Sequence, residues 1–128
     1  MSIRPLRGLI AAIVGCLLLI GCAGAPPAPP IEAASVTVHV SADRMAFDQS
    51  HLAVPADVPF AIDFENQEAV PHNVAIRGGS VSITTEIFSG PDARTYVFEA
   101  LPAGTYTFLC ELHPEMRGVL EVTLGGEG

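Results

Sequence analysis

Short stretches in which apolar and polar residues alternate constrain the fold of this chain more than any other feature of its sequence. Successive side chains of a β-strand point to opposite faces, so alternation predicts strands that bury one face and expose the other. Three such stretches stand out, with apolar residues at Val36, Val38 and Val40, at Phe60, Ile62 and Phe64, and at Tyr106, Phe108 and Cys110. No helical period of useful length is found after Ser35. The pattern therefore predicts an all-β domain.

Further apolar stretches and turn signals indicate how many strands the domain has. Strands are predicted near residues 72–77, 81–88, 95–99 and 118–124, and Pro, Gly and Asp mark turns between the stretches. Seven or eight short strands within about 90 residues are typical of a two-sheet antiparallel β-sandwich with Greek-key connections. A generic immunoglobulin-like sandwich is the alternative, but the chain has no Trp, and residues 35–128 contain a single Cys, so no disulfide within the domain can bridge the sheets.

The amino terminus has the features of an export signal. Two arginines precede an uncharged apolar run over residues 8–20, which is shorter than the roughly 20 residues of a comfortable bilayer span. The run ends in Gly21-Cys22, and this sequence resembles the lipobox of bacterial lipoproteins. We therefore expect residues 1–21 to be a lipoprotein signal peptide and Cys22 to be lipidated after cleavage. An ordinary secretory signal, or a buried helix with an incidental cysteine, is the alternative.

A proline-rich segment follows the predicted cleavage site. Residues 22–34 contain four prolines, which disfavour a helix and favour an extended spacer. We expect this segment to tether a lipidated Cys22 to a folded domain over residues 35–128. Lipidation predicts an exported protein that is anchored to the cell membrane or the outer membrane and faces the periplasm or the cell exterior.

Charge and cysteine content narrow the choice of partners. The chain has 14 acidic and six basic residues and a net charge of −8, whereas nucleic-acid binding requires a basic surface. Nucleic acid is therefore excluded as a partner. After cleavage and lipidation Cys110 would be the one remaining thiol. A single thiol in a compartment where disulfides normally form needs another explanation.

Soft metal ligands cluster in the carboxy-terminal third of the chain. Cys110, His113 and Met116 stand three residues apart in one predicted turn between strands. His72 is in phase with the apolar residues that follow it, which directs its imidazole to the buried side of a strand. A thiolate, two imidazoles and a weak axial thioether are the donor set of a blue copper site. The sequence therefore predicts a copper site formed by these four residues.

These motifs resemble those of the cupredoxins, the type 1 blue copper proteins, over nearly the whole of residues 35–124. The Cys-x2-His-x2-Met loop, the upstream Pro-His-Asn and the stretch Gly-Thr-Tyr-x-Phe-x-Cys are most similar to the amicyanin and plastocyanin branch. The resemblance implies one copper ion with His72, Cys110 and His113 as strong equatorial ligands. Met116 is then the long axial ligand.

The resemblance also implies supporting roles, and this chain departs from the family pattern close to them. Asn73 would donate its backbone N–H to the Cys110 sulfur and tie the two ligand loops together with its side chain. Pro71 would shape the chain just before the buried histidine ligand. Glu111 stands where relatives often carry a small hydroxylic or polar residue, so we expect an altered Asn73 bridge. Glu115 lies inside the loop, near the surface expected to meet partners.

Electron transfer is the function that the resemblance implies. Four protein ligands leave copper no vacant position for a substrate, so no enzymatic activity is expected. His113 would be the electron port, with Leu112 and Pro114 in a small apolar rim where redox protein partners dock transiently. We expect a monomeric carrier. Copper delivery or storage at the cell envelope is the alternative, although the chain lacks the Met-rich and His-rich tails typical of copper capture.

Three other side chains with metal-binding atoms are not expected at the site. His39 lies on the strand face opposite its apolar neighbours and is therefore predicted to face solvent. His51 is also predicted to lie on the surface. Met45 is predicted to be a packing or edge residue.

Overall fold

The computed structural model describes Gly24 and residues 34–125. The predicted signal peptide over residues 1–21 and the predicted lipidation site at Cys22 lie outside the described residues. Of the predicted 22–34 tether, only Gly24 and Ala34 are described. Within the described part, no helix has the length and apolar character that crossing a membrane would require.

Residues 34–125 form nine β-strands in two sheets and contain no helix. The strands are β1 (Val36–Asp43), β2 (Ala46–Phe47), β3 (His51–Pro55), β4 (Phe60–Asn66), β5 (Ala75–Gly78), β6 (Val81–Thr84), β7 (Asp92–Phe98), β8 (Gly104–Leu109) and β9 (Arg117–Thr123). One sheet has the order β2-β1-β4-β7 and the other the order β3-β9-β8-β5-β6. The prediction of an all-β, two-sheet sandwich is confirmed.

Strand direction differs from the prediction at one pairing in each sheet. β1 and β4 run parallel, with Val36 opposite Phe60, and β3 and β9 run parallel, with His51 opposite Val119. The five other pairings are antiparallel. Two pairings therefore differ from the predicted antiparallel arrangement. Alternation reports which face of a strand is buried, and it carries no information on the direction of the neighbouring strand.

The core lies between the sheets, where the alternating apolar residues meet. Phe60 stacks on Phe98 with ring centroids 5.1 Å apart, and Phe47 contacts both Phe64 and Phe108. Full burial of a phenylalanine side chain contributes about 2–3 kcal/mol to the free energy of unfolding. The largest fully buried side chains are Phe60, Phe64, Phe108, Ile62, Ile76, Met116, Leu120, His72, Val40, Val74, Asn66 and Asn73. The core therefore also contains the polar side chains of Asn66, His72 and Asn73, which lie at or beside the candidate metal centre.

Two strands were missed by the sequence analysis. β2 has only two residues, and in β3 the alternation is limited to Leu52 and Val54 before Pro55 ends the strand. Such short stretches do not establish a period. β5 also begins later than predicted, because His72 forms an isolated antiparallel bridge with Phe88 before the regular pairing of β5 starts.

Antiparallel pairing of β5 with β8 brings the predicted metal ligands to one end of the sheet. Ala75, the first residue of β5, lies opposite Leu109, the last residue of β8. The segment that leads into β5 and the turn that leaves β8 therefore lie side by side. His72 belongs to the first segment and Cys110 to the second.

Candidate metal centre

The turn between β8 and β9 is closed by three backbone hydrogen bonds. The N–H of Cys110 donates to the carbonyl of Met116 at 2.9 Å, the N–H of Met116 donates to the carbonyl of His113 at 2.8 Å, and the N–H of His113 donates to the carbonyl of Cys110 at 3.3 Å. Each bond joins two of the three predicted ligands. Backbone hydrogen bonds of the turn therefore hold these three residues close together.

Three donor atoms face one another at this end of the molecule. The Cys110 sulfur lies 3.7 Å from Nδ1 of His72 and 3.6 Å from Nδ1 of His113, and the two Nδ1 atoms are 3.1 Å apart. A point equidistant from these atoms is about 2 Å from each, which is close to the bond lengths of nitrogen and sulfur ligands to a divalent metal ion. His72, Cys110 and His113 thus form a candidate metal site that fits a copper ion.

Burial distinguishes the two histidines. The Cys110 and His72 side chains are fully buried, and Met116 is 2% exposed in the same turn. His113 is only half-buried. The imidazole of His113 therefore connects the buried donor cluster with the protein surface.

Glu68 holds the imidazole of His72 from the side away from the cluster. Its Oε1 lies 2.6 Å from Nε2 of His72 and accepts a 3.0 Å hydrogen bond from the backbone N–H of Met45. These two bonds, first the one from Met45, lower the pKa of the Glu68 carboxyl below its ordinary value. Glu68 was missed by the sequence analysis, and its position four residues before a predicted buried ligand was the available signal.

Asn66 supports the segment that carries Glu68 and His72. The Asn66 side chain is fully buried and donates from Nδ2 to the carbonyls of Val70 and Phe88, both at 2.8 Å. Its Oδ1 accepts from the backbone N–H of Glu68 at 3.0 Å. Asn66 was also missed, because a single polar residue at the end of a strand predicts nothing about which loop it stabilises.

The Asn73 side chain connects the segment before β5 with the turn after β8. Its Oδ1 accepts from the backbone N–H of Glu111 at 3.0 Å, and its Nδ2 donates to the Glu111 carboxylate at 2.8 Å. Glu111 therefore strengthens the bridge. The predicted bond from the Asn73 backbone N–H to the Cys110 sulfur is absent from the hydrogen bonds formed by residues 34–125, where the sulfur instead faces two imidazole nitrogens.

The remaining predicted residues surround the cluster at the surface. Pro71 is exposed immediately before His72, and Leu112 is 45% exposed beside His113. Pro114 and Glu115 are exposed in the same turn. The structure thus surrounds the half-buried imidazole with apolar surface and one carboxylate.

The side chains that were not expected at the site lie elsewhere. His39 and His51 are exposed on β1 and β3, so the prediction that both face solvent is confirmed. Met45 is 37% exposed in the turn that leads from β1 to the edge strand β2, which agrees with an edge position.

Comparison with known proteins shows the family. The cupredoxin-like domain model matches residues 9–122. Amicyanin from Paracoccus versutus is 31% identical over 131 aligned positions, which cover 91% of this chain and 95% of that protein.

Two solved structures have a similar fold. Dithionite-reduced auracyanin from Roseiflexus castenholzii has a TM-score of 0.62 and 26% identity, covering 71% of this chain and 99% of its own. Auracyanin A, a blue copper protein from Chloroflexus aurantiacus, has a TM-score of 0.60 and 25% identity, covering 68% and 98% of the two chains. Together with the geometry of the donor cluster, these likenesses show that the chain belongs to the cupredoxin-like family of blue copper proteins, whose amicyanin-like and auracyanin-like members bind one copper ion and are electron carriers, not enzymes.

Proposed function

We propose that His72, Cys110 and His113 hold the copper ion as its strong ligands and that Met116 is the weak axial ligand. The observation that carries this proposal is the triangle of donor atoms, with edges of 3.1, 3.6 and 3.7 Å. The burial of Met116 in the turn that also carries Cys110 and His113 supports its axial role. A thiolate, two imidazoles and a thioether form the donor set that blue copper sites use.

The surroundings of the cluster suit electron transfer without a change of ligands. Bound copper supplies a one-electron couple between Cu(I) and Cu(II). The protein contributes a buried, hydrogen-bonded cage, in which Glu68 holds one ligand and Asn73 joins the two ligand segments. A cage of this kind limits movement of the ligands when the charge of the ion changes.

Electrons are proposed to enter and leave through His113. It combines a donor atom in the cluster with an imidazole that is half-buried. Exposed Leu112 and Pro114 flank it and provide the apolar rim on which redox protein partners dock. A small apolar rim favours weak, short-lived complexes, which suit a monomeric carrier that must dissociate after each transfer.

The ligand assignment is tested by the colour of the copper-loaded protein. Residues 35–128 are expected to bind one Cu(II) and to show an intense visible band from thiolate-to-copper charge transfer. Cys110→Ser is expected to abolish this band, because a hydroxyl oxygen cannot provide the sulfur orbital, while the β-sheet signal in circular dichroism is retained. His51→Ala, which removes an exposed imidazole outside the donor cluster, serves as the control and is expected to keep the full band. A colourless wild-type copper complex, or an unchanged band in Cys110→Ser, contradicts the proposal.

Electron transfer and copper delivery make different predictions for a mixing experiment. Copper-loaded protein is mixed separately with redox proteins and with metal-free copper-binding proteins. For an electron carrier we expect rapid bleaching or recovery of the visible band with copper retained on this chain. Transfer of the metal itself to the second protein would instead favour delivery.

We further propose that the protein works at the cell envelope. Residues 1–21 are proposed to direct export, Cys22 to carry the lipid anchor and residues 22–34 to hold the copper domain off the membrane, facing the periplasm or the cell exterior. Mass spectrometry of the protein purified from cells tests this proposal. The expected product begins at Cys22 and carries acyl chains, and a product that begins elsewhere or lacks acyl chains contradicts it.

A further inference from the structure

Glu111 is tied to its surroundings more extensively than its neighbours in the turn. Its backbone N–H and its Oε2 both bond to the Asn73 side chain, at 3.0 and 2.8 Å. Its Oε1 accepts from Nη2 of Arg77 and from Oγ1 of Thr84, the latter at 3.1 Å. The residue that directly follows the proposed thiolate ligand is therefore fixed to three other segments.

Arg77 is held in place independently of Glu111. It lies on β5, and its Nη1 donates to the carbonyls of Ile83 at 2.6 Å and Ile76 at 3.1 Å. Its Nη2 also reaches Oγ1 of Thr84 at 3.2 Å. The Arg77 and Glu111 side chains are only 32% and 28% exposed, so their charges are screened by solvent less than those of a fully exposed pair.

We propose that Arg77 and Glu111 are a positioning pair for Cys110, in which Glu111 fixes the peptide after the thiolate and Arg77 balances the carboxylate charge beside the copper site. Because the pair acts on bound copper, the inference rests on the ligand set proposed above. The reduction potential of the protein then depends on this pair as well as on the four ligands.

The charges of the pair predict shifts of opposite sign. A negative charge near the site stabilises Cu(II) relative to Cu(I) and lowers the reduction potential, and a positive charge raises it. Removing the Arg77 charge leaves the Glu111 carboxylate unbalanced beside Cys110. Removing the Glu111 charge leaves the Arg77 guanidinium unbalanced. Loss of packing or of hydrogen bonds alone would not reverse the sign of the shift between the two variants.

The experiment measures the reduction potential of the copper-loaded protein by voltammetry after the visible band has been recorded. We expect Arg77→Gln to favour Cu(II) about threefold, which lowers the reduction potential by roughly 30 mV. We expect Glu111→Gln to favour Cu(I) about threefold, which raises the reduction potential by roughly 30 mV. The double variant is expected to return close to the wild-type potential. Arg77→Lys keeps the positive charge and is expected to stay near wild type.

Arg44→Gln is the matched control, because Arg44 also pairs with a carboxylate but is 91% exposed in a turn. It is expected to leave the potential unchanged. Shifts of the same sign in Arg77→Gln and Glu111→Gln, or no shift in either, overturn the positioning pair. If Arg77→Gln does not fold, Glu111→Gln decides alone, since an unchanged or lowered potential contradicts the inference. A wild-type protein without the thiolate band overturns the ligand set itself, so the two failures are distinguishable.

Discussion

The ring nitrogens of His72 have different partners, and this difference prepares the residue for metal binding. Nε2 lies 2.6 Å from Glu68, whereas Nδ1 faces the Cys110 sulfur at 3.7 Å. A neutral imidazole has one N–H donor and one acceptor nitrogen. The contact with Glu68 therefore favours the proton on Nε2 and leaves the Nδ1 lone pair for a metal ion.

Replacing Glu68 tests this role. Glu68→Ala removes the acceptor for both His72 and the Met45 N–H, and we expect copper affinity to fall about 10-fold to 100-fold. The amide oxygen of Glu68→Gln still accepts a hydrogen bond, so the copper affinity of this variant is expected to lie between those of wild type and Glu68→Ala. Affinity is measured by competition with a copper chelator. Glu65→Ala, which removes a half-exposed carboxylate of β4 outside the donor cluster, is the control, and equal affinities in Glu68→Ala and Glu65→Ala would contradict the role of Glu68.

An ion pair outside the donor cluster, formed by Asp92 and Arg94 on β7, predicts a pH dependence of stability. The Arg94 guanidinium, aided by the Ala93 N–H, lowers the pKa of Asp92 below its ordinary value. A lowered pKa means that the charged carboxylate stabilises the fold above the unfolded pKa of about 4, and that this contribution is lost as pH falls through the lower folded pKa. Asp92→Asn is therefore expected to be less stable than wild type at pH 7, with a difference that narrows below pH 4.

Urea unfolding of the metal-free protein at several pH values measures this difference. Glu99→Gln is the control, because Glu99 is exposed and forms no ion pair among the described residues. Its effect on the free energy of unfolding is expected to be small and the same at every pH. A difference between Asp92→Asn and wild type that stays constant from pH 7 to pH 3 would argue against the linkage.

At the scale of single strands, the pairing of β8 with β9 positions the ligand turn. Gly118 lies opposite Phe108, two residues after the proposed axial ligand. A Cβ at Gly118 would meet the Phe108 ring and would lie 2.6 Å from the carbonyl oxygen of Ser50. The close approach of backbone and ring at this position requires glycine.

Gly118→Ala is expected to destabilise the protein by about 2 kcal/mol, because the Phe108 ring and the backbone of the loop before β3 must both shift. Gly104→Ala on β8 is the matched control, since the nearest atom to its added Cβ would be Tyr106 Cε2 at 3.7 Å. Gly104→Ala is expected to change the free energy of unfolding by less than about 0.5 kcal/mol. Urea unfolding of the metal-free proteins measures both, and equal stabilities would show that the packing at Gly118 is less tight than described.

At the scale of the whole molecule, Cys110 and Met116 belong to the edge of a core whose other members are apolar side chains. The core joins both sheets through apolar side chains such as Phe64 of β4 and Phe108 of β8, which both contact Phe47 and lie outside the donor cluster. The cluster itself is held by backbone and side-chain hydrogen bonds that need no ion. The domain therefore has the contacts it needs to fold before copper binds.

We expect removal of copper to leave the protein folded. Far-ultraviolet circular dichroism and dispersed amide NMR signals are expected to be retained in the metal-free form. Adding copper is expected to raise the melting temperature, since a ligand at a thousand times its Kd stabilises the native state by about 4 kcal/mol. Zn²⁺ provides a redox-inactive comparison. A metal-free protein with an unfolded spectrum would show that the ion is needed for folding.

Local sequence was sufficient to propose the four ligands because their spacing is a property of one turn and one strand. Cys110, His113 and Met116 are three residues apart, and the phase of His72 places it on the buried side of its segment. Alternation also predicted the strands that contain long apolar series. It missed the two-residue β2 and the short β3, for which the sequence contains too few residues to establish a period.

The sequence by itself therefore determined the class of fold and the chemical type of the site, since alternation is a local pattern and three of the four proposed ligands lie in one turn. Only the tertiary structure decided the parallel pairings of β1 with β4 and β3 with β9. It also decided that Arg77 meets Glu111 across 34 positions. Such contacts depend on where whole strands come to lie, and free energy from burying the two sheets against each other, rather than local propensity, fixes that arrangement.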